Sequence, residues 1–139
     1  MNAPHRALVI VDVQNDFVEE GSLGVAGGND VAAAISRHVA AHADSYAAVV
    51  ASRDWHDPGS TNGGHFHARG EEPDFSSTWP AHCVSSDSGS DYAPGLDLAH
   101  VTHHVRKGMG EPAYSAFEGV TEDGSTLAEV LSEHDVTEV

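Results

Sequence analysis

The sequence is poor in positive charge, in cysteine and in long apolar runs, and each shortage argues against a class of protein. Six lysines and arginines stand against 22 aspartates and glutamates, so the formal charge of -16 repels nucleic acid and anionic membrane surfaces. The single cysteine, Cys83, excludes an internal disulfide framework. There is no secretory signal pattern before the first apolar run and no segment long enough to cross a bilayer. We therefore expect a cytoplasmic protein with neither a nucleic acid nor a membrane partner.

What the sequence does contain is a series of short apolar runs that each end on charged residues. Residues 7–11 lead to Asp12, residues 46–52 lead to Asp54, and a β-branched segment from Val101 leads to Lys107, the only lysine. Continuous apolar runs are typical of parallel strands buried on both faces, and the carboxyl ends of such strands share one edge of the sheet, where ligands bind. We predict one α/β domain, residues 1–139, with a doubly wound parallel sheet. The alternative for Asp12 is that it only caps a turn.

Two helices are predicted around these strands. In the first, Asn29 or Asp30 is placed to cap the helix. Its apolar stripe would comprise Val31, Ile35, Val39 and Ala43, which leaves His38 and His42 on the surface. In the second, Thr126 and Glu129 have the spacing of a capping box, before an apolar face of Leu127, Val130 and Leu131. Residues 136–139 would begin a fourth strand.

A long segment, residues 57–82, lacks periodicity but contains aromatic side chains, which are scarce in disordered linkers. We therefore predict an ordered loop that forms part of a site. Asp54, His56, His82 and either His65 or His67 would supply three nitrogen ligands and one oxygen ligand, a set suited to Zn, Fe(II) or Mn. Scattered loop histidines are also common on protein surfaces, so the spacing alone leaves both interpretations open.

Five motifs together resemble the nicotinamidases, also called pyrazinamidases, among the cysteine hydrolases of isochorismatase-like fold. They are Val11-Asp12-Val13-Gln14-Asn15-Asp16-Phe17, Arg53-Asp54-Trp55-His56, Trp79-Pro80-Ala81-His82-Cys83, Arg106-Lys107-Gly108 and Tyr114-Ser115-Ala116-Phe117. The resemblance covers essentially the whole chain. It implies a three-layer isochorismatase-like hydrolase fold with strand order 3-2-1-4-5-6, in which the first strand is central. It also implies hydrolysis of nicotinamide and pyrazinamide-like analogues to nicotinate and ammonia, in NAD salvage.

The same resemblance assigns roles to individual residues. Asp12 would be the general base, and Lys107 would stabilise the anionic groups. One divalent ion (Zn, Fe or Mn) would be held by Asp54, His56, His65 and His82. His65 is preferred to His67 because the ligand in the family is followed directly by phenylalanine. Phe17 and Trp79 would form the walls of a slot for the small pyridine substrate, with Tyr114 near its mouth.

The sequence departs from the family in one respect, the catalytic cysteine. In the family this cysteine lies in a motif resembling Gly-x-Ala-Thr-Asp-x-Cys-Val after the fourth strand, whereas the chain ends at Val139. Cys83 adjoins an implied metal ligand and is not that nucleophile. We therefore expect the C-terminal strands and helices of the fold to lie outside the given chain, and residues 1–139 to be inactive alone. The alternatives are a metal-free isochorismatase-like hydrolase, which would share Asp12 and Lys107, and a non-catalytic module that binds metal or pyridine. The sequence gives no indication of the oligomeric state.

Overall fold

A parallel sheet lies at the centre of the computed structural model, which describes residues 5–139. Its strands are β1 (Ala7–Val11), β2 (Ala48–Asp54) and β3 (His103–Lys107), in the spatial order β1-β2-β3. Helix α1 (Gly28–His42) connects β1 to β2, and helix α2 (Leu127–Glu133) follows β3. The predicted α/β class with a parallel sheet is confirmed. Within residues 5–139, no helix is long and apolar enough to span a membrane.

The two faces of the sheet are covered by different helices. On one face, Ile10 and Val49 belong to an apolar cluster that includes Val39 of α1. On the other face, Val50 and Val105 belong to a cluster that includes Leu127 and Val130 of α2. Side chains alternate between the faces of a strand, so an uninterrupted apolar run supplies both clusters. This arrangement explains why the strands do not alternate apolar and polar residues.

The carboxyl ends of the three strands meet as predicted, although the strand limits differ. Asp12 follows β1 directly, and Asp54 and Lys107 are the last residues of β2 and β3, paired in register. Strand β2 begins two residues later than the predicted segment 46–52 and extends to Asp54. It continues that far because its backbone stays paired with β3 through Arg53 with Arg106 and Asp54 with Lys107. Strand β3 begins at His103 rather than Val101, whose N–H closes a turn to the carbonyl of Leu98.

The predicted cap of α1 was wrong. The N-cap is Gly27, with a φ of 88°, and neither Asn29 nor Asp30 caps the helix with its side chain. Instead, the carboxylate of Glu19, from the preceding loop, accepts hydrogen bonds from the N–H groups of Gly27 and Asn29. These backbone hydrogen bonds lower the pKa of Glu19 below its usual value, and the bond from Asn29 has the largest effect. A carboxylate from a loop therefore performs the capping expected of the helix itself.

The predicted apolar stripe of α1 was also wrong in part. Val31 is 53% exposed, whereas Ala32 and Val39 are buried. Gly28 is buried as well, and a Cβ there would lie 2.8 Å from the side chain of Val18. The helix approaches the β1 loop so closely at this end that small residues, rather than Val31, face inwards. His38 and His42 are exposed, as predicted.

The C-terminal predictions are confirmed in part. Thr126 is the N-cap of α2, and its side chain accepts a hydrogen bond from the N–H of Glu129. Within residues 136–139, Glu138 forms one parallel bridge with Arg6, and its carbonyl accepts a hydrogen bond from the N–H of Ala7. This bridge lies on the side of β1 away from β2, where a fourth strand was expected.

Candidate active site

Asp12 is held at the end of β1 by two hydrogen bonds to its carboxylate. One oxygen accepts from the hydroxyl of Ser52 on β2 at 2.8 Å, and the other accepts from Nζ of Lys107 on β3 at 2.7 Å. The backbone of Asp12 has a φ of 53°, a conformation that costs free energy in a residue other than glycine. The side chain therefore bonds to the two neighbouring strands. A residue that only capped its own turn would not make these bonds, so that alternative is wrong.

Lys107 lies between two carboxylates. It is 1% exposed, and its ammonium donates hydrogen bonds to both Asp12 and Asp54. Burial alone would lower the pKa of Lys107, but the charges of Asp54 and Asp12 outweigh burial and raise the pKa above its ordinary value. The single lysine of the chain is therefore a buried, charged group paired on both sides.

Asp54 connects Lys107 to a group of histidines. One oxygen accepts from Lys107, and the other lies 3.5 Å from Nε2 of His56 and 3.5 Å from Nε2 of His82. Burial alone would raise the pKa of Asp54, but hydrogen bonds from Nε2 of His56 and His82 in their protonated form, together with the charge of Lys107, hold the pKa well below its usual range. Asp54 is therefore an anion, as a carboxylate ligand for a metal must be.

The structure brings together three histidines, one just before the long loop and two within it. His56, His65 and His82 are all buried, and each offers a ligand atom within 4.8 Å of the others. His67 lies outside this cluster, and its Nδ1 is 3.1 Å from the carbonyl oxygen of Ala68. The structure therefore places His65, rather than His67, with His56 and His82, the two imidazoles that lie 3.5 Å from Asp54.

The orientation of these imidazoles fits a metal ion. Nδ1 of His56 lies 2.7 Å from the carbonyl oxygen of Gly108, and Nδ1 of His82 lies 2.8 Å from that of Pro80. Each carbonyl can only accept, so Nδ1 carries the proton, and in the neutral imidazole that a metal binds, Nε2 carries the lone pair. Nε2 of His56 is buried and has no hydrogen-bond partner among the described residues. Such an atom is costly to leave unpaired, and three imidazoles with one carboxylate suit Zn, Fe(II) or Mn.

His65 and Gly108 complete the cluster. Burial lowers the pKa of His65 to about 4, and the positive charges that His56 and His82 carry when protonated act in the same direction. The imidazole of His65 is therefore neutral and can bind a metal. Gly108 has a φ of 80°, and a Cβ there would lie 2.5 Å from His56. Only glycine leaves room for the His56 ring at this position.

A cavity of about 300 Å³ lies next to these groups. Its lining comprises Asp12, Phe17, Leu23, Asp54, His65, Trp79, His82, Lys107, Ala113 and Tyr114. All three predicted substrate-binding residues are among them. Tyr114 is 62% exposed, as expected near a mouth, and its hydroxyl lies 3.4 Å from both Nε1 of Trp79 and Nδ1 of His65. Leu23 and Ala113 line the same cavity and were not identified from the sequence.

Two polar residues outside the cavity were also missed as site residues. Gln14 is fully buried: its amide nitrogen donates to the carbonyls of Asp54 and Ser90, and its amide oxygen accepts from the N–H of Asp54. Asp16 accepts a hydrogen bond from the N–H of Cys83. The sequence indicated these residues only as polar side chains directly after a buried strand. Their hydrogen-bond partners lie 40 to 76 residues away along the chain, so the partners could not be predicted from local sequence.

Cys83 is unsuited to act as a nucleophile. Its side chain is fully buried, and burial followed by the charges of Asp54, Asp16 and Asp12 raises the pKa of its thiol far above the usual value. A reactive cysteine needs the opposite environment, exposed and electropositive.

Comparison with known proteins agrees with this geometry. Residues 6–139 match the model of the isochorismatase domain family. The chain is 50% identical over 135 residues to the nicotinamidase/pyrazinamidase of Mycobacterium tuberculosis, covering 96% of this chain and 68% of that protein. It is 31% identical over 148 residues to the nicotinamidase of Escherichia coli, covering 98% of this chain and 68% of that protein. The chain thus spans about two thirds of the length of these relatives.

Solved structures resemble the fold over nearly the whole chain. Pyrazinamidase of Pyrococcus horikoshii in complex with zinc matches with a TM-score of 0.69 and 28% identity, over 98% of this chain and 71% of that one. PnC1 from L. infantum in complex with nicotinate matches with a TM-score of 0.70 and 27% identity, over 100% of this chain and 71% of that one. The parallel sheet, the residues at its carboxyl edge and these matches together show that the chain belongs to the isochorismatase domain family.

Proposed function

We propose that this protein hydrolyses nicotinamide and pyrazinamide-like analogues to the carboxylate and ammonia, as part of NAD salvage. The observation that carries the proposal is a single cavity lined at once by the Asp12–Lys107 pair, by His65 and His82, and by aromatic side chains. A cavity of about 300 Å³ is suited to one small aromatic ring with a polar substituent. The 50% identity to a nicotinamidase/pyrazinamidase supports the same substrate class.

In this proposal Asp12 carries the proton. Lys107 and Ser52 hold its carboxylate in one orientation, and the positive charge of Lys107 favours the ionised form that accepts a proton from the nucleophile. Asp12 then returns the proton to the departing ammonia. The nucleophile is a cysteine outside residues 1–139, which would complete a Cys-Asp-Lys triad, because the thiol of Cys83 is buried beside carboxylates.

Asp54, His56, His65 and His82 would hold one divalent ion, of zinc, iron or manganese. When bound, that ion supplies a Lewis acid for the pyridine nitrogen and for a water molecule. The zinc complex of the Pyrococcus horikoshii relative supports zinc as one such ion. A metal-free hydrolase of this fold would have no use for the buried, unpartnered Nε2 of His56.

The aromatic side chains would position the ring. Phe17 and Trp79 provide flat apolar walls, and Tyr114 lies at the exposed side of the cavity. Stacking against such walls contributes to binding without adding to the apolar core. We expect Trp79→Ala to weaken capture of the ring while leaving the melting temperature nearly unchanged. A large fall in melting temperature would instead identify Trp79 as a core residue.

The function is tested by binding and turnover together. Zinc-loaded protein should bind nicotinamide more tightly than benzamide, which differs only in lacking the ring nitrogen. Equal affinities would contradict the proposed contact between the ring nitrogen and the metal. Ammonia release should be absent from residues 1–139, with or without Cys83→Ala, and present in a chain extended by a segment carrying the cysteine motif. Turnover by residues 1–139 that Cys83→Ala abolishes would make Cys83 the nucleophile.

A further inference from the structure

Two arginines occupy the face of the sheet opposite the proposed catalytic pair. Arg53 precedes Asp54 and Arg106 precedes Lys107, and the two arginines are paired in register on β2 and β3. Successive side chains of a strand point to opposite faces, so the arginines lie on the far side from Asp54 and Lys107. In a chain of only six basic residues, two are therefore placed side by side.

Neither arginine forms an ion pair with a carboxylate of the described residues. Among residues 5–139, no carboxylate oxygen lies within 4.0 Å of either guanidinium, although the sequence has 22 acidic residues. Nε of Arg53 is buried and has no hydrogen-bond partner in the described part of the chain. Like charges directly opposite each other on neighbouring strands are unfavourable. This pair therefore leaves an electrostatic cost that a bound anion would relieve.

Aromatic stacking fixes the two guanidinium groups without using their donors. Arg53 lies over the ring of Trp55 at 4.4 Å and over the ring of Tyr92 at 4.8 Å, and Arg106 lies over Trp55 at 4.5 Å. Stacking satisfies the face of a guanidinium but leaves its N–H groups free in the plane. These donors are therefore held in place before any ligand arrives.

The arginines line a second cavity, of about 450 Å³, together with Asp91, Tyr92, Leu98, His104 and Glu122. The hydroxyl of Tyr92 lies 2.9 Å from Nδ1 of His104, which leaves Nε2 of that imidazole available. Asp91 and Glu122 also line the cavity, without pairing to either arginine. At physiological ionic strength, charges beyond about 8 Å are screened, so the charges that act on a ligand here are the two guanidinium groups and the two carboxylates of the cavity, rather than the acidity of the rest of the chain.

We propose that Arg53 and Arg106, with Tyr92 and His104, form a second binding site, for a small molecule that carries a phosphate or carboxylate group. The fork of N–H donors on each guanidinium matches the paired oxygens of these anions. The site is separate from the amidase cavity, and its occupation does not depend on the proposed hydrolysis.

Trp55 provides a direct reporter for this site. The sequence has two tryptophans, so Trp79→Phe leaves Trp55 as the only one. This variant is titrated with methyl phosphate and with acetate, at an ionic strength held constant with sodium chloride. At least one anion should change the Trp55 emission saturably, with a dissociation constant in the millimolar range or tighter. The tighter of the two identifies the group that the site prefers.

Added to the reporter variant, Arg106→Gln should weaken this binding by at least about tenfold, since it removes a charge-assisted, bidentate donor. Arg106→Lys keeps the positive charge but loses the paired N–H donors of the guanidinium, so its affinity should be intermediate. This variant still tests the proposal if Arg106→Gln folds poorly. The matched control is Arg37→Gln on the exposed surface of α1, which removes the same charge and should change affinity by less than about twofold. No saturable change with either anion, or an equal loss in Arg37→Gln, would overturn the proposal.

Discussion

The ends of β2 and β3 carry two charge pairs, one on each face of the sheet, and the pairs behave in opposite ways. Asp54 and Lys107 are opposite charges in register, and they form a buried network with Asp12. Arg53 and Arg106, one residue earlier on each strand, are like charges in register, and they are half-buried without an ion pair to any of residues 5–139. Both pairs share one register, so the comparison shows that the sign of the charges on each face decides whether neighbouring charged residues form a closed network or stay without an ion pair.

The largest expected effect comes from breaking the closed network. Lys107→Met leaves the carboxylates of Asp12 and Asp54 facing each other without a cation, and should lower the free energy of unfolding by about 3–5 kcal/mol. Arg106→Met, on the same strand but on the face that carries the arginine pair, should lower the free energy of unfolding by about 1 kcal/mol or less, mainly through lost stacking. Urea denaturation at neutral pH without added metal measures both. Equal losses would contradict the distinction between the two faces.

A smaller effect is expected when the support beneath the network is removed. Gln14→Leu keeps the approximate size of the side chain but leaves three buried backbone groups of Asp54 and Ser90 without their partner. The free energy of unfolding should fall by about 2–4 kcal/mol. The control is Asn15→Ala, which removes one exposed hydrogen bond to Ser88 and should cost about 1 kcal/mol or less. A loss in Gln14→Leu no larger than in Asn15→Ala would show that Gln14 does not hold Asp54.

The smallest effect on stability is expected at high pH, from Tyr92 on the face that carries the arginine pair. Burial raises the pKa of Tyr92 to about 12 from 10.0, although Arg53 and Arg106 lower it. The fold therefore favours the protonated phenol, so this contribution to stability is complete below pH 10.0 and declines as the pH rises towards about 12. Because Tyr92 is partly exposed, we expect a decline of about 1–2 kcal/mol. Tyr92→Phe should remove this part of the alkaline loss, and identical pH profiles for the two proteins would contradict it.

The features that could be predicted from the sequence are those set by local pattern. The apolar runs indicated the strands, and the charged residues after them indicated which side chains would meet at one edge. Thr126 was recognisable as a cap because its partner, Glu129, is three residues away. Local sequence is sufficient where the interacting residues are close along the chain.

The features that could not be predicted depend on groups that arrive from far along the chain. Glu19 caps α1 from the preceding loop, so the local candidates Asn29 and Asp30 were misleading. The hydrogen bonds of Gln14 reach Asp54 and Ser90, 40 and 76 residues away. The choice between His65 and His67 also lay beyond the spacing itself, since both are on one loop and only the folded loop turns His65 inwards.

Metal binding by residues 1–139 tests the central claim, that Asp54 and the three buried histidines form a divalent metal site. Equilibrium dialysis against zinc, followed by elemental analysis, should find close to one ion per chain. His56→Ala, His65→Ala and His82→Ala should each weaken binding by at least about tenfold, because each removes a ligand from the proposed set. His67→Ala is the matched control from the same loop and should bind zinc as the unmodified chain does. The absence of stoichiometric zinc from folded protein, or a loss in His67→Ala as large as in His65→Ala, would contradict the account.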